Sequence, residues 1–321
     1  MIDLRRLHVL REVAHHGTVS AAAKALHMSA SAASQQIRLL SKDLGVSLLE
    51  PSGRRIRLTP AAQVLIAHVD AIEAMWRLAE AEIQATAGEP SGLLRLCGFP
   101  TAIATLLAPL VERAKTEYPS LELRLREAEA PESFDLLFAG KADIAVVEST
   151  PDNPPPEDIR FDSQVIFHDP FDLVVPSAHR LANTNAVDLR AVEREPWVIG
   201  VPGSAHRRHV LTACANAGFR PTLYGEAREW SVIATMISSG LGVGLIPRLI
   251  DLPPHLELVR VPIAGPYTPL RHFLAVTLRG ARERPAVAAV LSMLDTLVGE
   301  AEVIGPEERT MDRSTGLPES T

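Results

Sequence analysis

Residues 18–44, TVSAAAKALHMSASAASQQIRLLSKDL, constrain the fold more than any other stretch of the chain. Two helical patterns flank a turn at Leu26-His27-Met28-Ser29. The first starts at Thr18 or Ser20, either able to cap free N–H groups, and runs through Ala21, Ala22 and Ala25 to Leu26. Its alanines permit close packing. Ser29 caps the second, whose buried face is read as Ala33, Ile37, Leu40 and Leu44, leaving Ala30, Ser31, Ser34, Gln35 and Arg38 outward. Before both lies a helix from about Leu4 to His16, apolar at Leu4, Leu7, Leu10, Val13 and Ala14, with Gly17 placed to stop it.

An outward face of small, hydroxyl and amide side chains is what a helix needs to enter a major groove. Gln35 can pair bidentately with adenine, and the serines can bond to base edges or phosphate. Ala30 and Ala32 let the backbone approach and can touch a thymine methyl. The competing reading is a three-helix subdomain whose polar face is merely solvated. The next element weighs against it: Leu48 to Leu58, LLEPSGRRIRL, reads as two strands around a Pro51-Ser52-Gly53 turn. Such a wing lays Arg54, Arg55 and Arg57 on phosphates or in a minor groove.

Charge divides accordingly. Through Pro60 nine basic residues face four acidic ones, a surplus of +5, while the remaining 23 basic and 35 acidic residues carry −12 and give the chain its net −7. One nucleic-acid module is thus attached to something that does not bind nucleic acid.

Thr59-Pro60 opens a helix that continues to about Ala85, with Ala62, Leu65, Val69, Ile72, Trp76, Ala79 and Ile83 in steps of three and four. The rod is about 40 Å long, and its narrow seam suits a partner helix or a face of its own chain. Gly88 to Gly92 breaks the pattern. Beyond it, strands are expected at 93–97, 121–126, 143–147, 171–175, 197–200 and 242–246, and helices at 101–118, 132–139, 204–217, 230–239 and 286–299. That alternation predicts an α/β domain with parallel sheets covered by helices, long enough for two small lobes.

The chain resembles a LysR-type transcriptional regulator from about Leu4 to Gly299. The resemblance is carried by Leu26 to Ser29, Ser34 to Ile37, Leu44-Gly45-Val46 and Gly53 to Pro60 in the N-terminal part, and by Gly140 to Val147 and Gly240 to Pro247 in the C-terminal part. It implies a winged helix-turn-helix over 1–59, a linker and dimerisation helix over 60–87, and an effector-binding domain over 88–300 similar to periplasmic binding proteins. Lobe I is expected at about 93–161 with 270–299, lobe II at about 162–269, and 301–321 as a disordered tail. It also implies double-stranded DNA, a small-molecule effector and a second or further copy of the chain (homodimer or homotetramer) as partners. Three residues depart from the family pattern: Pro51 and Gln35 stand where arginine is common, and Ala62 where glycine is usual. The first removes an expected phosphate contact, and the second alters base preference.

In the cleft such a fold implies, Pro100-Thr101 opens one helix and Gly203-Ser204 another, and helix N-termini favour anions. The expected effector is a small carboxylate or similarly polar molecule touching Thr101 and Ser204, with Trp230 as a wall; the alternatives are that the hydroxyls cap their own helices and Trp230 packs in the core. His206 and His209 lack further ligands for a metal, so no metal site is expected. No cofactor is implied.

Gly240 to Gly244 lacks dinucleotide-loop spacing and reads as a helix-to-strand turn. Cys97 and Cys214, the chain's two cysteines, read as buried thiols, against the alternative of a redox-sensing regulator. No nucleophile elbow, phosphate loop or H-E-x-x-H motif supports an α/β enzyme, so no catalytic residue is assigned. With neither a signal peptide nor a membrane-length apolar run, the expected location is the cytoplasm, with no membrane partner.

Overall fold

The computed structural model describes residues 3–52, 55–86, 88–265 and 268–303. Helix α1 spans Leu4–His16, capped by Asp3 and stopped by Gly17 in the left-handed region at φ 71°. Helix α2 spans Val19–Ala25, and Thr18 rather than Ser20 caps it, accepting from the Ala21 N–H. Ser29 accepts from the Ala32 N–H and starts α3, Ala30–Leu44. Leu10, Ala22, Ala33, Ile37 and Leu40 close the three-helix core.

Strands β1 (Leu49–Ser52) and β2 (Arg55–Leu58) form the wing, paired from Leu49↔Leu58 to Ser52↔Arg55. Pro51 and Ser52, expected in the turn, instead lie within β1, with Pro51 opposite Ile56. Both strands of a two-stranded ribbon are edges, so the missing proline N–H is tolerated. Gly53 and Arg54 lie outside the described residues.

Helix α4, Pro60–Ala85, carries Pro60 in its first turn and is capped by Thr59. The apolar seam expected along it splits in two. Ala62, Leu65 and Val69 pack on the three-helix core, whereas Ile72, Trp76 and Ile83 are 50%, 63% and 66% exposed. The winged domain needs a fourth wall, and the first turns of α4 supply it.

The remaining described strands and α-helices are β3 (Gly92–Gly98), α5 (Pro100–Ala102), α6 (Ala108–Glu117), β4 (Leu121–Glu127), α7 (Glu132–Phe138), β5 (Ile144–Glu148), β6 (Phe161–Pro176), β7 (Pro196–Gly200), α8 (Ala205–Asn216), β8 (Thr222–Ala227), α9 (Trp230–Ser238), β9 (Gly244–Pro247), β10 (Leu258–Pro262), β11 (Leu270–Leu278) and α10 (Pro285–Val303). A π-helical turn, Ile103–Leu107, joins α5 to α6. Pro109 cannot donate to the Thr105 carbonyl one turn back, a local cause for the widened winding.

The sheets are mixed rather than parallel throughout. β3 pairs in parallel with β4 and β5, and β7 with β8, but β6, β9, β10 and β11 pair antiparallel. Among the described residues a seven-stranded sheet runs β10-β6-β11-β5-β3-β4, with β9 also on β6. The 16-residue β6 explains both departures, since a strand that long serves two lobes. Phe161 to Pro170 pair with β11, then Phe171 to Pro176 pair with β9 and β10. The handover thus falls at Pro170/Phe171 rather than near 161/162, with the return at Pro269/Leu270. Leu96, Leu107, Val146 and Phe273 belong to the core on one side, and Phe171, Trp197, Val210 and Leu245 to that on the other.

The glycine-rich run after α9 is a turn into β9, as expected. Gly242 sits at φ 154°, and a Cβ there would lie 2.2 Å from the Pro196 carbonyl oxygen. Helix α10 continues to Val303, past the expected end at Gly299 and into the start of the expected tail; residues 304–321 lie outside the described ones. Among the described residues no helix is long and apolar enough to cross a membrane.

Candidate nucleic-acid interface and inter-lobe site

Burying Ala33, Ile37 and Leu40 turns the opposite face of α3 outward. Ser29, Ala30, Ser31, Gln35 and Arg38 are exposed and Ser34 is half-buried, all on one side of the domain. The Ser29 and Ser31 hydroxyls lie 3.0 Å apart at the helix N-terminus, where unpaired N–H groups add positive potential. Between α3 and the wing runs a cleft of about 580 Å³ lined by Ser34, Arg38, Ser41, Lys42, Val46 and Leu49. On the wing, Arg57 lies opposite Glu50 and donates to its Oε1 from Nε at 2.8 Å and Nη2 at 2.5 Å. Its guanidinium is therefore partly neutralised, although the side chain stays 73% exposed. Arg55 belongs to β2, and Arg54 lies outside the described residues.

The strand handover builds the second site. Asp169 of β6 and Arg271 of β11 are register partners on its first-lobe side, and Arg271 Nε donates to Asp169 Oδ2 at 2.8 Å. Both are buried, and Asp169 also accepts from the Leu249 N–H at 3.0 Å. Burial holds the Asp169 carboxyl above its ordinary value, against the pull of Arg271 and the Leu249 N–H. The Arg271 guanidinium lies 4.9 Å from the Phe273 ring centre, 5.6 Å from that of Phe99 and 5.8 Å from that of Trp230. It is thus the common floor under the start of α5 and the start of α9.

Pro100 is the first residue of α5 and Thr101, buried, the second, and no side chain caps the helix. Facing elements come from β7 and α8. Gly203 adopts φ 85° before Ser204, whose hydroxyl donates to the Val201 carbonyl and accepts from the Arg207 N–H. Ser204 therefore caps its own helix. Trp230 is half-buried; it packs against the second lobe's apolar clusters and stands 4.6 Å from His206, centre to centre.

Histidine pairing at i, i+3 left two residues without an assigned role, and each has one in the structure. His206 is buried with Nε2 2.8 Å from the Leu245 carbonyl oxygen, so Nε2 carries the proton. Burial pushes its pKa down to about 4, and its Nδ1 has no hydrogen-bond partner among the described residues. At neutral pH Nδ1 is a buried acceptor awaiting a donor. His209 instead reaches Glu148 at the end of β5, 2.8 Å away, and Arg208 reaches Asp152 at 3.2 Å. These two contacts join α8 to the end of β5 and the segment after it, beside a cleft of about 360 Å³ that Thr150, Thr212, Asn216 and Thr268 help to line.

Asp169, Arg271 and the Glu148–His209 contact were not found from sequence. Asp169 and Arg271 are 102 residues apart, and no local pattern marks them. Among the described residues no three His, Cys, Asp or Glu side chains converge as a metal site. Cys97 and Cys214 are buried in separate apolar clusters, and burial pushes their thiols up to about 11 and about 12.

Comparison with known proteins agrees with both halves. Residues 4–63 match the family described as bacterial regulatory helix-turn-helix protein, lysR family, and residues 87–298 match the LysR substrate binding domain. The transcriptional dual regulator GltC of Bacillus subtilis is 31% identical over 268 residues, covering 83% of this chain and 87% of GltC. The HTH-type transcriptional regulator ShiR of Corynebacterium glutamicum is 29% identical, covering 85% and 92%. Among solved structures, CbnR in complex with its target DNA is 21% identical at TM-score 0.54, covering 92% of this chain and 100% of CbnR. A peroxide-bound OxyR mutant of C. glutamicum is 21% identical at TM-score 0.60, covering 99% and 97%.

Proposed function

The chain belongs to the LysR family of bacterial DNA-binding transcriptional regulators with an effector-binding domain, and we propose that in this member α3 reads the operator while a small hydroxy or amino acid is sensed between the lobes. The observation that carries the first half is the exposed face of α3, with Ser29, Ala30, Ser31, Ser34, Gln35 and Arg38 on one side of a buried apolar face. Gln35 and the serines contact base edges in the major groove, and Arg54, Arg55 and Arg57 of the wing hold phosphates. The domains are 1–59, 60–87 and 88–300. Two copies pair through the exposed Ile72, Trp76 and Ile83 stripe of α4, presenting two half-sites one helical turn or more apart.

For the effector, Pro100, Thr101, Gly203, Ser204 and Trp230 line the approach and Arg271 and His206 supply its depth. A carboxylate is matched to the Arg271 guanidinium and to the uncapped first turn at Thr101. The unpartnered Nδ1 of His206 suits a donor on the same molecule, a hydroxyl or an amine. The protein is a regulator and not an enzyme, and it works in the cytoplasm, where its DNA lies. Redox sensing is disfavoured, because a thiol held near 11 or 12 forms almost no thiolate at neutral pH.

Melting the protein with a panel of small hydroxy acids, amino acids and their neutral amides tests this reading. An acid that binds raises Tm by mass action, its amide does not, and Thr101→Val weakens the rise. The same acid then changes operator affinity. A panel in which amides and acids act alike, or in which a stabilising acid leaves DNA binding untouched, would refute the effector assignment.

A further inference from the structure

Helix α1 contributes Leu7, Leu10 and Val13 to the winged core, and its Arg11 and His15 side chains reach the first lobe. Phe138, the last residue of α7 in the first lobe, is gripped from α1. The Arg11 guanidinium carbon stands 4.1 Å from its ring centre and the His15 ring stacks on it at 4.2 Å, with planes 20° apart. Arg11 Nη2 also donates to the Phe138 carbonyl at 3.3 Å. His15 Nε2 meets Asp135 Oδ1 at 2.7 Å, one turn earlier on α7, and its Nδ1 lies 3.4 Å from Arg160 at the start of β6.

The linker helix completes the socket. Arg11 pairs with Glu73 of α4, Arg77 Nε donates to the Arg279 carbonyl at 2.7 Å, and a Cβ on Gly280 would stand 2.5 Å from the Ala74 carbonyl oxygen. The first lobe is thus wedged into the angle between α1 and α4. Arg11 is buried, and Asp70 of α4 is buried beside it. Surface ion pairs between domains that drift past one another do not reach this degree of burial.

We infer that Arg11, His15 and Phe138 form a clamp that fixes the winged domain to the first lobe, making them positioning residues for the angle at which α3 is offered to DNA. Movement of the first lobe then reaches α3 through α7 and α1, in addition to any path along α4. The clamp does not depend on which effector binds. The Phe138 ring supplies the Arg11 cation–π contact and the His15 stack, so its loss shifts the docked-to-undocked ratio about tenfold.

The test measures that ratio in the full-length chain. Dyes on Lys24→Cys in α2 and Glu122→Cys in β4, both exposed positions, report the distance between winged domain and first lobe by energy transfer. Labelled chains are diluted into excess unlabelled chain, and the native thiols are buried. Phe138→Ala lowers the docked-to-undocked ratio about tenfold. Because Phe138 also contributes to a core, the decisive variant is Asp135→Lys, at a half-exposed side chain, which places a cation against His15, Arg11 and Arg160. It undocks the winged domain, and adding His15→Glu restores docking. An unchanged distance in Asp135→Lys, or an undocking that His15→Glu does not reverse, would overturn the clamp.

Discussion

In the winged domain, Ser29, Ala30, Ser31, Gln35, Arg38 and Arg57, all expected to meet DNA, are exposed. Between the lobes, the groups that matter come from α5, β6, α8, α9 and β11, and four of them, Thr101, Asp169, His206 and Arg271, are buried. The two regions therefore store their function differently. The DNA face is held by an apolar core that its own side chains do not enter, so changing a reading residue should leave stability alone. The inter-lobe groups are themselves part of what holds the lobes together.

The largest expected effect is at the buried pair. Arg271→Ala leaves the Asp169 carboxylate without its cation and should destabilise the effector domain by about 3–5 kcal/mol, measured by urea unfolding. A loss below the error of extrapolation would mean that the buried pair does not hold the base of the inter-lobe site, and the contrast between the two regions would fail.

Next is the pH dependence of His206. The unfolded chain takes up a proton near the ordinary value of 6.5, whereas the folded state resists until about pH 4. Its contribution is complete above 6.5 and is lost as pH falls toward 4, in all about 3 kcal/mol. His206→Gln should flatten stability across that window, and parallel curves for the two proteins would show that burial of the imidazole costs nothing on protonation.

Smaller effects belong to the DNA face. Gln35→Ala should reduce discrimination among operator variants by about 1–3 kcal/mol at one base pair while its melting curve stays unchanged. Equal losses on operator and random DNA would remove its base-reading role. At the lower end, Glu50→Gln frees Arg57 from its cross-strand partner. Binding to random DNA should then strengthen, and the salt dependence should steepen by about one ion. Unchanged slopes would place Arg57 away from phosphate.

The same contrast explains what could be read in advance. Thr18, Ser29 and Thr59 act as caps within a few residues of where they stand, so the helices they start are legible in the chain. Leu10, Ile37 and Leu40 follow the helical period and are buried as that period requires. The strands β8, β10 and β11 were not anticipated. β11 is specified by partners more than a hundred residues away, and its alternation is masked because both faces of its central residues are covered. Trp76 shows the other limit: it continues the apolar spacing of Ala62 and Val69, yet the period alone does not say that the first lobe and the winged core occupy different turns of the same helix. Ser204 admits both a cap and a ligand contact from its sequence, and the local hydrogen bonds show that it caps α8.

The most direct test is to sequence host-genome fragments retained by the purified full-length protein at physiological salt, with Gln35→Ala in parallel. The expected result is a few enriched fragments sharing a partial palindrome, with the enrichment lost or redirected in Gln35→Ala. Retention of fragments without a shared sequence, or an identical set for both proteins, would contradict operator recognition by α3.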